Sequence, residues 1–269
     1  MKKKKAFTLA EVLLVLALIG IVAALTIPYM YKEFSKNKWA VTYKRSFAET
    51  FNVLTQIALD DDCSKSLTCT HLFDNGQLAS TEAVGDAMIK HMVTSKICRT
   101  KDDGCFSHKI RVGLSGSAEE TLKETMEDKI AFAGGSKFES GFYTFRTNRN
   151  VSYAVLSFGL RCLNDPGPMN EPYLKAYVKE YDNPDNMDNH MLSLCGFIVV
   201  DVNADQKPNM WGRDVFGMWI TDRSTLGIYP FGGDYDNAFG GKCHFATESK
   251  QDTRGCAAQL IKDGWKMLY

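Results

Sequence analysis

The sequence lacks the short motifs of the common enzyme classes. It contains no G-x-S-x-G, no P-loop and no H-E-x-x-H, which are typical of hydrolases, nucleotide-binding enzymes and metalloproteases respectively. No C-x-x-C is present, and the five histidines share no helical or metal-ligand spacing, which argues against a zinc site. We therefore expect a protein that is not an enzyme.

The sequence also lacks an excess of charge. Its 32 basic residues balance 32 acidic ones, so the formal net charge is zero. Nucleic-acid-binding domains carry a basic patch or stripe, and nothing in this composition suggests one. We expect no nucleic-acid partner. The chain shows no disorder signature and no internal repeat, and 269 residues allow one large or two small folded units.

The N-terminal segment is the most informative part of the chain. Four lysines precede the residues A-F-T-L-A-E, and an uncharged apolar run follows from Val12 to Tyr31. At roughly 1.5 Å per residue, a helix over this run covers about 30 Å, the thickness of a bilayer's hydrocarbon core. Glu11 stands at the threshold of the run, where a carboxylate is costly unless it is paired.

Three kinds of segment share parts of this pattern. A secretory signal peptide has a small-residue cleavage site after its apolar core, whereas here the small residue, Ala6, precedes the core. A plain single-pass anchor explains the lysines and the apolar run, but it does not explain Glu11.

The third kind is a processed pilin segment. The residues KKKKAFTLAEVLLVLALIG resemble the N-terminal signature of type IV prepilins and type II secretion pseudopilins. The resemblance implies that a prepilin peptidase cuts between Ala6 and Phe7, that Phe7 is N-methylated, and that Glu11 becomes the fifth mature residue. Ala6 stands where the family usually has Gly. Pro28 falls where many members carry a helix-bending proline.

The resemblance also implies a role for Glu11. Cleavage frees an amino group on Phe7, and Glu11 of a neighbouring subunit could pair with it and set the stagger between subunits. Without that partner, Glu11 would snorkel to the cytoplasmic interface and do nothing specific.

The lysine cluster indicates the orientation of the segment. Positive residues stay cytoplasmic, so we expect a single-pass inner-membrane protein with a cytoplasmic N-terminus and an exported head. We divide the chain into a leader (1–6), a transmembrane and filament-core helix (7–28), an amphipathic continuation (29–60) and the head (61–269). Removing the leader lowers the basic residues from 32 to 28, so the mature chain is mildly acidic.

Beyond Pro28, the pattern stays helical to about residue 59. Apolar residues recur every three or four positions, at Trp39, Tyr43, Phe47, Phe51, Leu54 and Ala58. We predict short helices over 80–93 and 117–129, the second with a capping box at Ser117. Strands are predicted over 142–146, 151–158, 196–202, 215–221 and 226–230, and residues 257–268 as a helix or a strand. The expected fold is α+β and pilin-like, with the long helix packed on an antiparallel sheet.

Eight cysteines support export, because an even number in an exported chain is typical of disulfides. Proximity in the sequence favours Cys63–Cys69 and Cys98–Cys105. For the other four cysteines we expect Cys162–Cys195 and Cys243–Cys256.

A second motif, D-V-N-A-D-Q-K-P-N-M-W-G-R-D-V-F, occupies residues 201–216. It resembles prepilin and pseudopilin heads, in which a strand ends in D-x-N-G-x-x-x-P-N and G-x-D-x-F follows. Ala204 stands where Gly is more usual.

The same segment contains a candidate calcium site. Asp201, Asn203 and Asp205 alternate like the opening ligands of a calcium loop, and Asp214 could add an oxygen only through a different geometry. The twelfth position is Gly212, so no bidentate Glu completes the set. We therefore expect an Asx-rich turn and no cofactor, with calcium as the alternative.

These features predict a pilin-like structural subunit. It would join other pilin or pseudopilin subunits in a helical filament, assembled from the lipid bilayer by an inner-membrane platform. The filament would be a type II secretion pseudopilus in the periplasm or a type IV pilus at the cell surface. A head of about 210 residues is large beside common major subunits, which suggests a minor or tip subunit. The alternatives are an adhesin or DNA-uptake module on a pilin stem, and a membrane-tethered exported enzyme.

Overall fold

The computed structural model describes residues 8–63, 67, 69–72, 80–99, 104–113, 119–126, 141–157, 194–204, 206–221, 228–232, 243 and 253–269. The helices in these ranges are α1 (Leu9–Asp60), α2 (Thr81–Lys90), α3 (Leu122–Thr125) and α4 (Cys256–Lys262). The strands are β1 (Thr94–Ile97), β2 (Tyr143–Thr147), β3 (Ser152–Ser157), β4 (Leu194–Asp201), β5 (Val215–Thr221) and β6 (Ile228–Pro230).

The six strands of the described ranges form one antiparallel sheet in chain order, so each strand pairs with the next. The central pair, β3 and β4, runs from Ser152 opposite Asp201 to Ser157 opposite Gly196. A Cβ on Gly196 would lie 2.2 Å from the carbonyl oxygen of Leu156, so the strands approach this closely only with glycine there. The long helix and this sheet confirm the predicted α+β, pilin-like architecture.

Helix α1 has two parts with different surroundings. No residue from Leu9 to Trp39 is buried, and Ala40 is the first that is. Pro28 lies inside the helix, which continues without a break on both sides of it. The first 31 residues of α1 therefore form a stem without buried residues, and the last part packs on the head.

The packed face of α1 differs in part from the predicted stripe. Its buried residues are Ala40, Tyr43, Ser46, Thr50, Val53, Leu54, Ile57 and Ala58. Trp39, Phe47 and Phe51 are only partly buried and lie at the border of this face. The small side chains of Ser46 and Thr50 lie beside the buried ring of Tyr153 in β3. Small residues leave room for that ring, because protein interiors are close-packed.

Helix α2 covers the neighbouring part of the sheet. Its N-cap, Ser80, accepts the backbone N–H of Ala83 at 3.0 Å, as expected for a capped helix. The ring of Tyr143 lies against Gly85, where an added Cβ would come within 2.2 Å of the ring. The Tyr143 hydroxyl donates to Oδ1 of Asp86 at 2.6 Å. Gly85 and Asp86 of α2 thus both contact Tyr143, and these contacts position α2 on β2.

Three disulfides have both cysteines in the described ranges: Cys63–Cys69, Cys98–Cys105 and Cys243–Cys256. They are pairs that the sequence analysis favoured. Cys195 is also disulfide-bonded, and Cys162, its expected partner, lies outside the described residues.

Helix α1 ends in a Schellman motif. The N–H of Cys63 donates to the carbonyl of Ala58 at 2.7 Å, and the N–H of Asp62 donates to the carbonyl of Leu59 at 3.1 Å. Asp62 adopts a φ of +57°, in the left-handed region where glycine is usual. Its carboxylate also lies at the negative end of the helix dipole, where an acid is unfavourable.

We therefore expect the substitution Asp62→Gly to stabilise the protein. Removing the left-handed strain and the unfavourable charge should raise the free energy of unfolding by about 1 kcal/mol, or the thermal midpoint by about 3 °C. Asp62→Asn removes only the charge and should give a smaller gain. Calorimetry of the three proteins measures both effects, and a lower midpoint for Asp62→Gly would contradict this account of the helix end.

Candidate assembly site at the start of helix α1

Glu11 lies in the first turn of α1 and takes part in its N-terminal cap. Thr8, the N-cap residue, accepts the N–H of Glu11 through its hydroxyl at 3.3 Å. In return, Oε2 of Glu11 accepts the Thr8 N–H at 2.8 Å and the Thr8 hydroxyl at 2.9 Å. This is a capping box, which satisfies two backbone donors that the helix leaves unpaired.

The capping box orients the Glu11 carboxylate. Both hydrogen bonds from Thr8 end on Oε2, and among the described residues Oε1 has no partner. One oxygen is thus held by the chain's own helix start, and the other faces outward. The carboxylate can therefore accept a further donor from another molecule without breaking the cap.

The stem that follows is long and apolar enough to cross a membrane. The span lies within α1, near the N-terminus, and none of it is buried inside the molecule. Large apolar side chains along it are more than half exposed, for example Leu14, Ile19 and Leu25. So much exposed apolar surface is unusual for a water-soluble chain and needs lipid or protein to cover it. Ala6 and Phe7, the predicted processing residues, lie outside the described residues.

The second candidate site, at residues 201–214, folds into a hydrogen-bonded turn. Oδ2 of Asp201 accepts the hydroxyl of Ser107 at 2.6 Å, and its Oδ1 accepts the N–H of Asn203 at 3.2 Å. Asp214 accepts the N–H groups of Asn209 at 2.8 Å and Met210 at 2.7 Å. Donors of the protein itself occupy these carboxylates, as in an Asx-rich turn.

The calcium alternative has no support in this part of the molecule. Asp201, Asn203 and Asp214 come together, and hydrogen bonds link them to one another. In the described residues, no group of three or more His, Cys, Asp or Glu could hold a metal ion. Asp205, the remaining candidate ligand, lies outside the described ranges. Ser107 and Arg111, which the sequence analysis missed, join this turn to the segment 104–113.

The unusual residue of this motif has a backbone explanation. Ala204 has a φ of +55° and is 1% exposed. This is the left-handed region that glycine enters at little cost. The turn therefore favours Gly at this position, and this chain accommodates Ala there.

Asp214 is fully buried, and its protonation is coupled to folding. Burial raises the pKa of its carboxyl from 3.8 to about 6, although the N–H groups of Met210 and Asn209 act in the opposite direction. The folded chain thus holds this proton more tightly than the unfolded chain does.

We expect the free energy of unfolding to fall as the pH rises through this range. The contribution of Asp214 is fully present below about pH 4 and is lost above about pH 6, a change of about 3 kcal/mol. Urea titrations at pH 4 and pH 6.5 measure the change in the native protein and in Asp214→Asn, where this contribution is absent. Equal pH dependence in the two proteins would contradict the assignment.

Two of the histidines, to which the sequence analysis assigned no metal site, contact the end of α1. Nδ1 of His71 lies 2.5 Å from Oδ2 of Asp61, and Nε2 of His91 lies 2.9 Å from Oδ2 of Asp60. Burial would raise the pKa of Asp61, but the hydrogen bonds from His71 outweigh it and hold that pKa below its usual range. Each histidine ring thus gives one acid at this end of the helix a hydrogen-bond partner. The histidines lie 10 and 31 residues from their acidic partners, so no local sequence pattern predicts these contacts.

Comparison with known proteins identifies the N-terminal segment. Residues 1–27 match the family model described as the prokaryotic N-terminal methylation motif, which is the prepilin-type signature. The match covers the basic leader, Glu11 and most of the apolar run, and it confirms the signature predicted from the sequence. No curated protein and no solved structure matches the chain.

Proposed function

We propose that this protein is a structural subunit of a type II secretion pseudopilus or a type IV pilus. The observation that carries the proposal is the methylation motif at residues 1–27. This motif overlaps the first part of α1, a helix of 52 residues. The motif supports a pilin-like subunit rather than an enzyme. The exposed stem supports assembly through α1, because its apolar surface can be covered either by lipid in a bilayer or by other helices in a bundle.

The leader would be removed by a prepilin peptidase. Cleavage between Ala6 and Phe7 separates the four lysines from the apolar run and leaves an amino group on Phe7 for methylation. Ala6 is small, as the family's usual Gly is. In the mature chain Thr8 becomes the second residue, so the capping box with Glu11 lies within one residue of the new terminus.

The outward oxygen of Glu11 supports the pairing role. Oε2 is held by Thr8, and Oε1 would receive the methylated amine of Phe7 from an adjacent subunit. An amine and a carboxylate buried together in an apolar bundle compensate each other's desolvation, and their contact fixes the stagger of neighbouring helices.

The division of the chain follows from this assembly. The segment 7–28 would cross the inner membrane before assembly and form the filament core afterwards. The part 29–60 would connect the core to the exported head 61–269, in the periplasm or at the cell surface. The size of the head and its disulfides support a minor or tip position.

We expect Glu11→Gln to block assembly without blocking processing. Glutamine retains an oxygen that can accept the Thr8 donors, so the cap remains, but it has no charge for the amine. An unpaired buried charge costs about 3 kcal/mol or more, so the share of this variant in isolated filaments should fall at least about ten-fold. The measurement compares leader removal by mass spectrometry with the amount of subunit in the filament fraction.

Glu33→Gln is the matched control. Glu33 lies on the same helix, its side chain is 45% exposed, and it contacts Lys36 at 3.6 Å. Its loss should leave assembly unchanged, since an i,i+3 pair contributes only about 0.2–0.5 kcal/mol. Normal entry of Glu11→Gln into filaments would reject the pairing role.

A further inference from the structure

One of the described disulfides is closed to solvent on both sides. Both cysteines of Cys98–Cys105 are buried, with exposures of 1% and 0%. In Cys243–Cys256, Cys256 is fully buried, whereas Cys243 is partly exposed. Thiol–disulfide exchange requires a thiolate to reach one sulfur. The Cys98–Cys105 bond therefore exchanges slowly in the folded protein.

The disulfide Cys63–Cys69 is different. Cys63 is 3% exposed, but Cys69 is an exposed residue on the surface beside the end of α1. An external thiol can approach Cys69 without any opening of the head. We propose that Cys69 is a thiol–disulfide exchange site, at which a small-molecule or protein thiol forms a mixed disulfide while Cys63 leaves.

The exchange is a balanced two-step reaction. The external thiolate attacks the Cys69 sulfur, the bond to Cys63 breaks, and the electron pair stays on Cys63, which takes a proton from water. A second external thiolate then attacks the external sulfur of the mixed disulfide. This step releases Cys69 as a thiol and forms a disulfide between the two external molecules, which supply both electrons.

Cys63 has an acceptor for its hydrogen once the disulfide opens. Its sulfur lies 3.4 Å from the carbonyl oxygen of Asp61. The thiol that forms on Cys63 can therefore donate to this carbonyl, while Cys69 carries the external group.

The exchange would act on the end of α1 and leave the core in place. Cys63 closes the last turn of α1 through Ala58, and His71, just after the disulfide ring, holds Asp61 through its N–H at 2.9 Å. Leu67 and Thr70 remain buried in the head and anchor the segment independently of the sulfur bond. The ring is short, and a short ring restricts the unfolded chain less than a long one. Opening it loosens the helix cap locally.

Partial reduction of the full chain in detergent micelles tests the proposal. The folded protein is treated with dithiothreitol at neutral pH, alkylated at intervals and mapped by peptide mass. Cys69 should be alkylated at least about ten-fold faster than Cys98 and Cys105, because the buried pair reacts only after opening. Equal rates, or earlier reaction of the buried pair, would overturn the proposal.

A second measurement tests which sulfur is attacked. With glutathione in place of dithiothreitol, the mixed disulfide should be found on Cys69, and an adduct mainly on Cys63 would overturn the proposal. Two single variants form a matched pair. Cys63→Ser leaves Cys69 as an exposed thiol that alkylates rapidly, whereas Cys69→Ser leaves Cys63 as a buried thiol that alkylates slowly. The reverse order would also reject Cys69 as the site.

Discussion

Replacing Tyr43 with alanine should detach the stem helix from the head. The ring of Tyr43 is fully buried and stacks on Phe216 of β5, with the ring centroids 4.4 Å apart. Its hydroxyl donates to the carbonyl of Gly217 at 3.3 Å. Tyr43→Ala removes this contact between α1 and β5 and leaves a cavity, so the free energy of unfolding should fall by about 4 kcal/mol.

Two controls isolate the cause of that loss. Tyr43→Phe retains the ring and removes only the hydroxyl, so it should cost about 1 kcal/mol. Tyr29→Ala changes the same residue type on the exposed stem, where the side chain is 69% exposed, and it should leave the stability of the head unchanged. Urea unfolding followed by tryptophan fluorescence compares the four proteins. A cost for Tyr29→Ala equal to that of Tyr43→Ala would contradict the assigned packing.

Replacing Gly212 with alanine should disrupt the turn and the disulfide beneath it. Gly212 has a φ of +77°, and an added Cβ would lie 2.8 Å from the Cys256 sulfur and 2.9 Å from the carbonyl oxygen of Thr253. The left-handed conformation costs about 1–2 kcal/mol, and forcing apart packed atoms adds about 1–3 kcal/mol. We therefore expect a loss of about 4 kcal/mol and incomplete pairing of Cys243 with Cys256.

Gly264→Ala is the matched control for Gly212→Ala. Gly264 has a φ of +66°, but nothing lies within 4 Å of an added Cβ. This variant should lose only the conformational cost of about 1 kcal/mol and should keep the disulfide. Urea unfolding and peptide mapping without reductant measure both properties. Similar losses of unfolding free energy for the two variants would show that the clash with Cys256 adds nothing to the cost of Gly212→Ala.

The elements that the sequence predicted well have strong local patterns. Strand β5 spans Val215–Thr221, the predicted range, and β2 and β3 lie within one residue of theirs at each end. The buried sequence of β4 and the long periodic pattern of α1 are equally distinct. In each case the apolar residues alone indicate which face or strand is buried.

The elements that the sequence analysis missed depend on tertiary contacts. Strand β1 is mostly exposed and carries no apolar alternation, and it forms because it pairs with β2 at the sheet edge. The second short helix begins later than predicted, since Glu120 pairs with Ile110 and the capping box is at Thr121. Two similar capping-box patterns compete in that segment, and the pairing of Glu120 excludes the first.

In the candidate assembly site, too, local motifs were predictable from the sequence and tertiary contacts were not. The cleavage signature and Glu11 could be identified from residue order, because they form a local motif. The capping box of Thr8 also has a local signal, a Thr followed three residues later by Glu, that the analysis overlooked. The contacts of His71 and His91 with Asp61 and Asp60 join distant segments, and only the fold reveals them.

The mass and the first residue of the protein isolated from its own membranes test the central claim most directly. If this chain is a processed pilin-like subunit, the mature protein begins at Phe7, carries one methyl group on its amino terminus and lacks residues 1–6. A protein that still begins at Met1 and retains its four lysines would contradict both the processing and the assembly that depends on it.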